Sequence, residues 1–172
     1  MANATMTDPH ALFLHELGDI LYAEKQIEKM LPKLQKEVSD SELADGFAQH
    51  LEETRQQIQN IEQVFQSLGE KPKAEKCPGI EGIRQEHDDF VSKEKPSDEV
   101  CDLFNTGAAS RVEHYEIAAY SGLVTQAKAM GHTDAARLLE ENLRQEESML
   151  KRAEKIAERL ARSSSAAGMA SR

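Results

Sequence analysis

Tryptophan is absent from this 172-residue chain, aromatic residues make up 5%, and there are only two cysteines. Cys77 and Cys101 stand alone, in neither paired-ligand nor redox-motif spacing, so a zinc site built on cysteine and a thioredoxin-like centre are both excluded. A Cys77–Cys101 bridge is possible but not required, and the reading keeps both thiols reduced. No long apolar run and no signal-peptide pattern occur, which predicts a soluble, cytoplasmic protein without a membrane segment. Basic charge is also short. The formal charge of -10 and the lack of a basic stripe exclude sequence-independent binding to nucleic acid or to anionic membranes. The five prolines and nine glycines are few, and most gather in one internal stretch and at turns. That sparing use predicts an all-α fold in one domain large enough to bury a core.

What is present is helical periodicity. Thr7-Asp8-Pro9 is a helix-start signal, and Leu17, Ile20, Glu24, Ile27, Leu31, Leu34 and Val38 then recur at steps of three and four. Pro32 falls inside this run and predicts a kink or a break. Ser39-Asp40-Ser41 ends the first helix and caps a second, from about Glu42 to Leu68, whose inward stripe includes Leu43, Phe47, His50, Thr54, Ile61 and Phe65. Gly69 is a C-terminal stop. From Glu70 to Ser97, Pro72, Pro78, Gly79, Gly82 and Pro96 mark a connection far longer than bundle helices ordinarily need, with a short helix crossing it at about 80 to 91. A connection of this length can join parallel neighbours. A third long helix, about Asp98 to Met130, and a fourth, with the seam Ala136, Leu139, Leu143, Glu146, Leu150, Ala153, Ala157 and Leu160, meet at the Gly131 turn. Residues 8–162 thus form the bundle, and 1–7 and 163–172 are expected to be flexible termini.

Glutamates interrupt each apolar seam. On the third long helix the stripe runs Ala109, Glu113, Glu116, Tyr120, Leu123, Ala127 and Met130, so Glu113 and Glu116 point where leucine is usual. Glu24 and Glu53 are equidistant from the Ser39-Asp40-Ser41 turn, and Glu116 and Glu146 from Gly131. At about 1.5 Å per residue, each pair lies roughly four turns from its hairpin tip. Packing the two hairpins together would gather Glu24, Glu53, Glu113, Glu116 and Glu146 in one layer. Without counter-charge such a layer is unstable, and no lysine or arginine shares the seams near it. Two divalent cations would offset four of its five negative charges. Hard oxygen donors with one imidazole favour iron or manganese over zinc or copper. His50 reads equally as a direct ligand and as a hydrogen-bonding neighbour of one. Tyr120 reads as core packing more than as a partner of a ligand. Tyr22 and Tyr115 read as packing residues, His114 as structural, and His10, His15, His87 and His132 as surface or capping groups.

The segments Ala23-Glu24-Lys25-Gln26, His50-Leu51-Glu52-Glu53-Thr54 and Glu113-His114-Tyr115-Glu116-Ile117-Ala118, with Cys77-Pro78-Gly79 and Met130-Gly131, resemble the YciE/YciF family of bacterial ferritin-like stress proteins over about residues 8 to 160. The resemblance implies a ferritin-like four-helix bundle whose long crossover carries a short extra helix. It also implies a homodimer, induction under stress and a di-iron site held by Glu24, Glu53, Glu113, Glu116 and Glu146 with His50 beside them. The order His50-x-x-Glu53 reverses the usual Glu-x-x-His, Gln56 stands where histidine would follow Glu53, and Met149 where it would follow Glu146. Expected functions are ferroxidase or peroxide-consuming oxidoreductase with oxygen or peroxide as the small oxidant, manganese catalase-like chemistry, or a metal-free interaction scaffold.

Overall fold

The computed structural model describes residues 5–170 of the chain. Five helices follow one another: α1 (Pro9–Glu37), α2 (Ser41–Ser67), α3 (Pro78–Glu94), α4 (Asp98–Ala129) and α5 (Thr133–Ala170). Their starts obey local chemistry. Asp8 accepts from the His10 amide ahead of Pro9, and Asp40 accepts from the Leu43 amide, satisfying donors that each first turn leaves free. Gly69 and Gly131 both take φ +76°. There the bonds Glu70 N to Phe65 O and His132 N to Ala127 O close α2 and α4, a left-handed stop that glycine adopts without a Cβ penalty.

Pro32 does not break α1, which runs unbroken from Pro9 to Glu37. The ring removes one hydrogen bond, at a cost of about 3 kcal/mol. Ile27 and Leu31 before it are buried, and Leu34 and Val38 beyond it pack on the same core, each worth about 1.5–3 kcal/mol. Burial of that stripe outweighs the local defect. At the other end, α5 continues past residue 162 to Ala170, where the sequence predicted a loose tail. No proline or glycine intervenes before Gly168, and the Ser163 and Ser165 hydroxyls bond back to the Arg159 and Ala161 carbonyls. Of the predicted N-terminal tail, residues 5–7 belong to no helix. Residues 1–4 and 171–172 lie outside the described residues.

The helices form two hairpins, α1–α2 and α4–α5, packed so that α1 lies along α4 and α2 along α5. Pairs such as Glu16–Gln126, Glu24–Tyr120 and Glu37–Asn105 run in opposite directions along α1 and α4. Asp40–Arg159, Gln49–Arg152 and Asn60–Asn142 do the same for α2 and α5. Neighbours are therefore antiparallel, while α2 and α4 run parallel across the diagonal rather than as adjacent helices. The crossover passes over α1, where Glu75 N bonds to Gly18 O at 2.9 Å. A Cβ on Gly18 would lie 2.6 Å from the Lys73 carbonyl oxygen, so the close approach needs glycine. Asp102 of α4 then ties the far end, accepting from Ser39 N at 2.8 Å, Ser39 Oγ at 2.6 Å and Asp40 N at 3.0 Å.

Candidate metal centre

The middle of the bundle is polar. On α1 Glu24 sits among buried Ile20, Leu21, Ala23 and Ile27, so its carboxyl has no direction to take but inward. On α4 Glu113, Glu116 and Tyr120 share a face at steps of three and four, and all are buried. On α2 the inward stripe carries His50, Thr54 and Gln57, and on α5 it carries Asn142, Glu146 and Met149. Four of these groups converge. One ligand atom each from His50, Glu113, Glu116 and Glu146 lies within 4.8 Å of all the others, an arrangement that can hold a metal ion. His50 Nε2 is 3.4 Å from Glu113 Oε1, across the bundle diagonal.

A layer of hydrogen bonds surrounds this group. Tyr120 donates its hydroxyl hydrogen to Glu24 Oε1, and Gln57 donates to Glu146 Oε1. Asn142 Nδ2 donates to the Tyr120 hydroxyl at 3.1 Å and to the Gln57 carbonyl at 3.3 Å, and Asn60 Nδ2 donates to Asn142 Oδ1 at 2.7 Å. Each of Glu24 and Glu146 is thus held by one oxygen. The other oxygen of each, Glu113 Oε2 and both oxygens of Glu116 are buried with no partner, as are both ring nitrogens of His50. Five buried carboxylate oxygens without a protein donor need protons, cations or ordered water.

The electrostatics agree. Burial, then the Glu146 carboxylate, holds the Glu24 carboxyl well above its ordinary range, with the Tyr120 bond pulling the other way. Burial also raises Glu113 and Glu116 well above it, and Glu146 and Glu24 add to both shifts. No lysine or arginine among the described residues forms an ion pair with these glutamates; Arg111, the nearest basic residue on α4 by sequence, pairs with Glu86. The donor set, carboxylate-rich with one imidazole, fits hard divalent cations such as Fe(II) or Mn(II).

Of the six residues singled out in the sequence, the structure brings Glu113, Glu116, Glu146 and His50 into one group. It sets Glu24 beside them, fully buried and tied to Tyr120. Glu53 stands apart. Its side chain is 24% exposed, with Oε2 3.9 Å from His50 Nδ1 and Oε1 accepting from Gln49. Equal distance from the hairpin turn set its height but not its azimuth: Thr54 and Gln57 take the inward positions after His50, which leaves Glu53 at the edge of the stripe. Burial pushes its carboxyl up, but His50 and Gln49 outweigh that and hold it below the ordinary range.

Several roles differ from their sequence readings. Tyr120 is both fully buried and bonded to Glu24, and Tyr22 and Tyr115 bond to Glu81 and Asp19. His87, expected at the surface, is buried, with Nε2 3.0 Å from Glu37 Oε1. His114 bonds back to the Ser110 carbonyl and stays outside the site. Both cysteines are free and buried. The amides of Gln57, Asn60 and Asn142 were missed altogether. Their signal was present: Gln57 is seven residues beyond His50 and Asn142 four before Glu146, both inward spacings.

The profile of the domain of unknown function DUF892 matches residues 8–166. The Escherichia coli protein YciF is 42% identical over 138 residues, covering 80% of this chain and 82% of that protein. The crystal structure of the E. coli stress protein YciF superposes with a TM-score of 0.86 at 37% identity, covering 91% of this chain and 99% of that one. A Rhodopseudomonas palustris protein, YcfI, for which a structural role has been suggested, superposes equally well (TM-score 0.86) at 38% identity, over 90% of this chain and 98% of that one. Among the described residues no helix is long and apolar enough to cross a membrane.

Proposed function

The chain belongs to the DUF892 family of YciF-type proteins, and from that premise we propose that its buried carboxylate cluster is a two-ion centre that takes up Fe(II) and passes its electrons to oxygen or peroxide during stress. The observation that carries this reading is the set of five partnerless buried carboxylate oxygens, with no lysine or arginine among the described residues paired to them. Two divalent ions would neutralise that charge, where burial of the carboxylates alone would cost several kcal/mol per ion. Glu113, Glu116 and Glu146 with His50 would hold the ions, and Glu24 would offer its free Oε2. Tyr120 and Gln57 fix the direction of Glu24 and Glu146. Glu53, at the edge of the bundle beside His50, is where a cation arriving from solvent would first meet the acidic side of the site. When bound, two Fe(II) ions would supply one electron each, enough with two protons to reduce dioxygen to hydrogen peroxide. The working unit in this reading is a homodimer, which light scattering would report as twice the 19.2 kDa chain mass.

Anaerobic titration with Fe(II) followed by admission of air tests the proposal. Saturable binding and a ferric absorption band after oxygenation are expected; absence of both would remove the ferroxidase reading. Manganese loading would instead give peroxide dismutation, and metal analysis of unsupplemented protein separates the two.

One observation favours a second, metal-free reading. The Tyr120–Glu24 and Gln57–Glu146 bonds satisfy one oxygen of each carboxyl from within the fold, and protons can occupy the remaining oxygens. The bundle would then be a structural stress protein, with a melting temperature indifferent to Fe(II) or Mn(II).

A further inference from the structure

The carboxylate cluster is approached from one side by a pocket whose chemistry differs from its own. Between α1, α3 and α4, and closed by Phe47 and His50 of α2, lies a cavity of about 30 Å³ walled by apolar side chains, among them Ile27, Leu31 and Ala109, and ending on His50 and Glu113. A second apolar pocket of about 20 Å³, bounded by Gly46, Met149 and Ala153, reaches the same two residues from the α5 side. Phe47, His50, Ala109 and Glu113 line both. Such a space is near the share of volume one water takes in the liquid. Water, however, needs two to four polar partners, and between His87 at the outer end and His50 and Glu113 at the inner end the wall offers none. Hydrogen peroxide, with two donors and four lone pairs, meets the same obstacle. An apolar diatomic does not.

The outer end supports the same assignment. The first pocket shares Met30, Leu34 and His87 with a polar vestibule of about 180 Å³ between α1 and α3. Lys29, Lys33 and Arg84 line that vestibule against only Glu37 and Asp88, so it has no acidic surplus to draw in a cation. His87 at the junction is engaged by Glu37 and is not free to coordinate an arriving ion. The acidic way in lies elsewhere, at Glu53.

We propose that the pocket between α1, α3 and α4 is a gas route, which delivers dioxygen to the His50–Glu113 end of the site and selects it over peroxide. This rests on the metal-centre reading for its purpose, but not for its test. Metal-free crystals pressurised with xenon should show a xenon atom against Ile27, Leu31, Phe47 and Ala109. Ala109→Leu fills both pockets, and Ile83→Trp plugs the first from α3, outside the four-helix core; each should remove the xenon. The second variant keeps the test open if the first does not fold. Both should bind Mn(II) as the parent does, by electron paramagnetic resonance. Their Fe(II)-loaded forms should be oxidised by dissolved dioxygen at least about tenfold more slowly. No xenon in the parent, xenon retained in both variants, or xenon lost with an unchanged oxidation rate would each overturn the route. Failure of Mn(II) binding with xenon in place would instead strike the metal-centre reading and leave the route standing.

Discussion

Replacing Glu116 by methionine separates a metal centre from a merely tolerated polar core. Glu116 is fully buried and neither of its oxygens has a partner. Methionine has nearly the same length and can fill the same space without a group to satisfy. An unsatisfied buried polar group costs about 1–3 kcal/mol, and exchanging buried ionic groups for apolar ones of similar volume stabilises by about 1–4 kcal/mol. Taking about 2 kcal/mol, and about 2–4 °C per kcal/mol for a chain of this size, metal-free Glu116→Met should melt about 4–8 °C above the parent. Metal reverses the order. At a hundredfold excess over its dissociation constant, a cation adds about 2.7 kcal/mol to the parent, or roughly 5–11 °C. The variant, one carboxylate short, should gain less than half of that. Differential scanning calorimetry in chelator and in Mn(II) reads both numbers. A metal-free variant less stable than the parent would mean that Glu116 is already satisfied inside the fold. A full metal shift in the variant would remove Glu116 from the site.

The chelated parent should lose stability as pH rises. Burial holds the Glu24, Glu113 and Glu116 carboxyls above their unfolded values, so above the ordinary carboxylate range the folded state binds more protons than the unfolded one. The slope is about 1.4 kcal/mol per pH unit for each proton retained, readable in urea melts from pH 5.5 to 7.5; a flat profile would contradict it. Saturating Mn(II) should flatten the slope, because bound carboxylates have already released their protons. Gly18→Ala should cost about 1–3 kcal/mol and expose the crossover to trypsin at Lys73 and Lys76, since the added methyl meets backbone rather than a flexible side chain. Both thiols should resist alkylation in the native protein at pH 8 and react fully in denaturant. Burial, with Glu37 beside it, pushes Cys101 up to about 11, and fast labelling of the folded chain would refute its placement.

Hydrophobic period locates a helix face to within about one residue, and that tolerance explains what the sequence could and could not disclose. The glutamates at 24, 113, 116 and 146 were legible because each interrupts a run of apolar residues at helical steps, and a single carboxylate in such a run stands out. On α5, Leu143 and Leu150 suggested one seam, yet the buried positions are Asn142 and Met149, with the leucines only partly covered. A leucine next to an asparagine attracts the seam to itself, because periodicity weighs apolar residues alone. Glu53, one turn past His50 and at the edge of the stripe, shows the same tolerance. Distance from the turn fixes height, but inward direction depends on how α2 rolls against α5, which the contacts of Gln57 and Asn60 decide. The partners of His87, Tyr22 and Tyr115 lay beyond reach, since Glu37 and Glu81 meet the first two only once α3 has crossed the bundle, and Asp19 meets Tyr115 only once α1 packs along α4.

The amides that escaped notice account for how the cluster divides mechanically. Glu24 and Glu146 are each anchored through one oxygen, to Tyr120 and Gln57, and those anchors are joined through Asn142 and backed by Asn60. Glu113 and Glu116 carry no such anchor from an amide or a hydroxyl; Glu113 faces His50 Nε2 at 3.4 Å and the Glu146 carboxyl. The α1 and α5 carboxylates are therefore fixed walls, and the α4 pair, three residues apart on one helix, is the part free to reorient. An ion that changes from +2 to +3 needs ligands that can tighten without dragging the bundle with them. In the proposed centre, helix α4 would supply two such ligands from one element, between walls that the hydrogen-bonded layer keeps in place. Loss of that layer, by Gln57→Leu for instance, should consequently loosen the site more than it loosens the fold, because a leucine repairs the packing but leaves Glu146 unanchored.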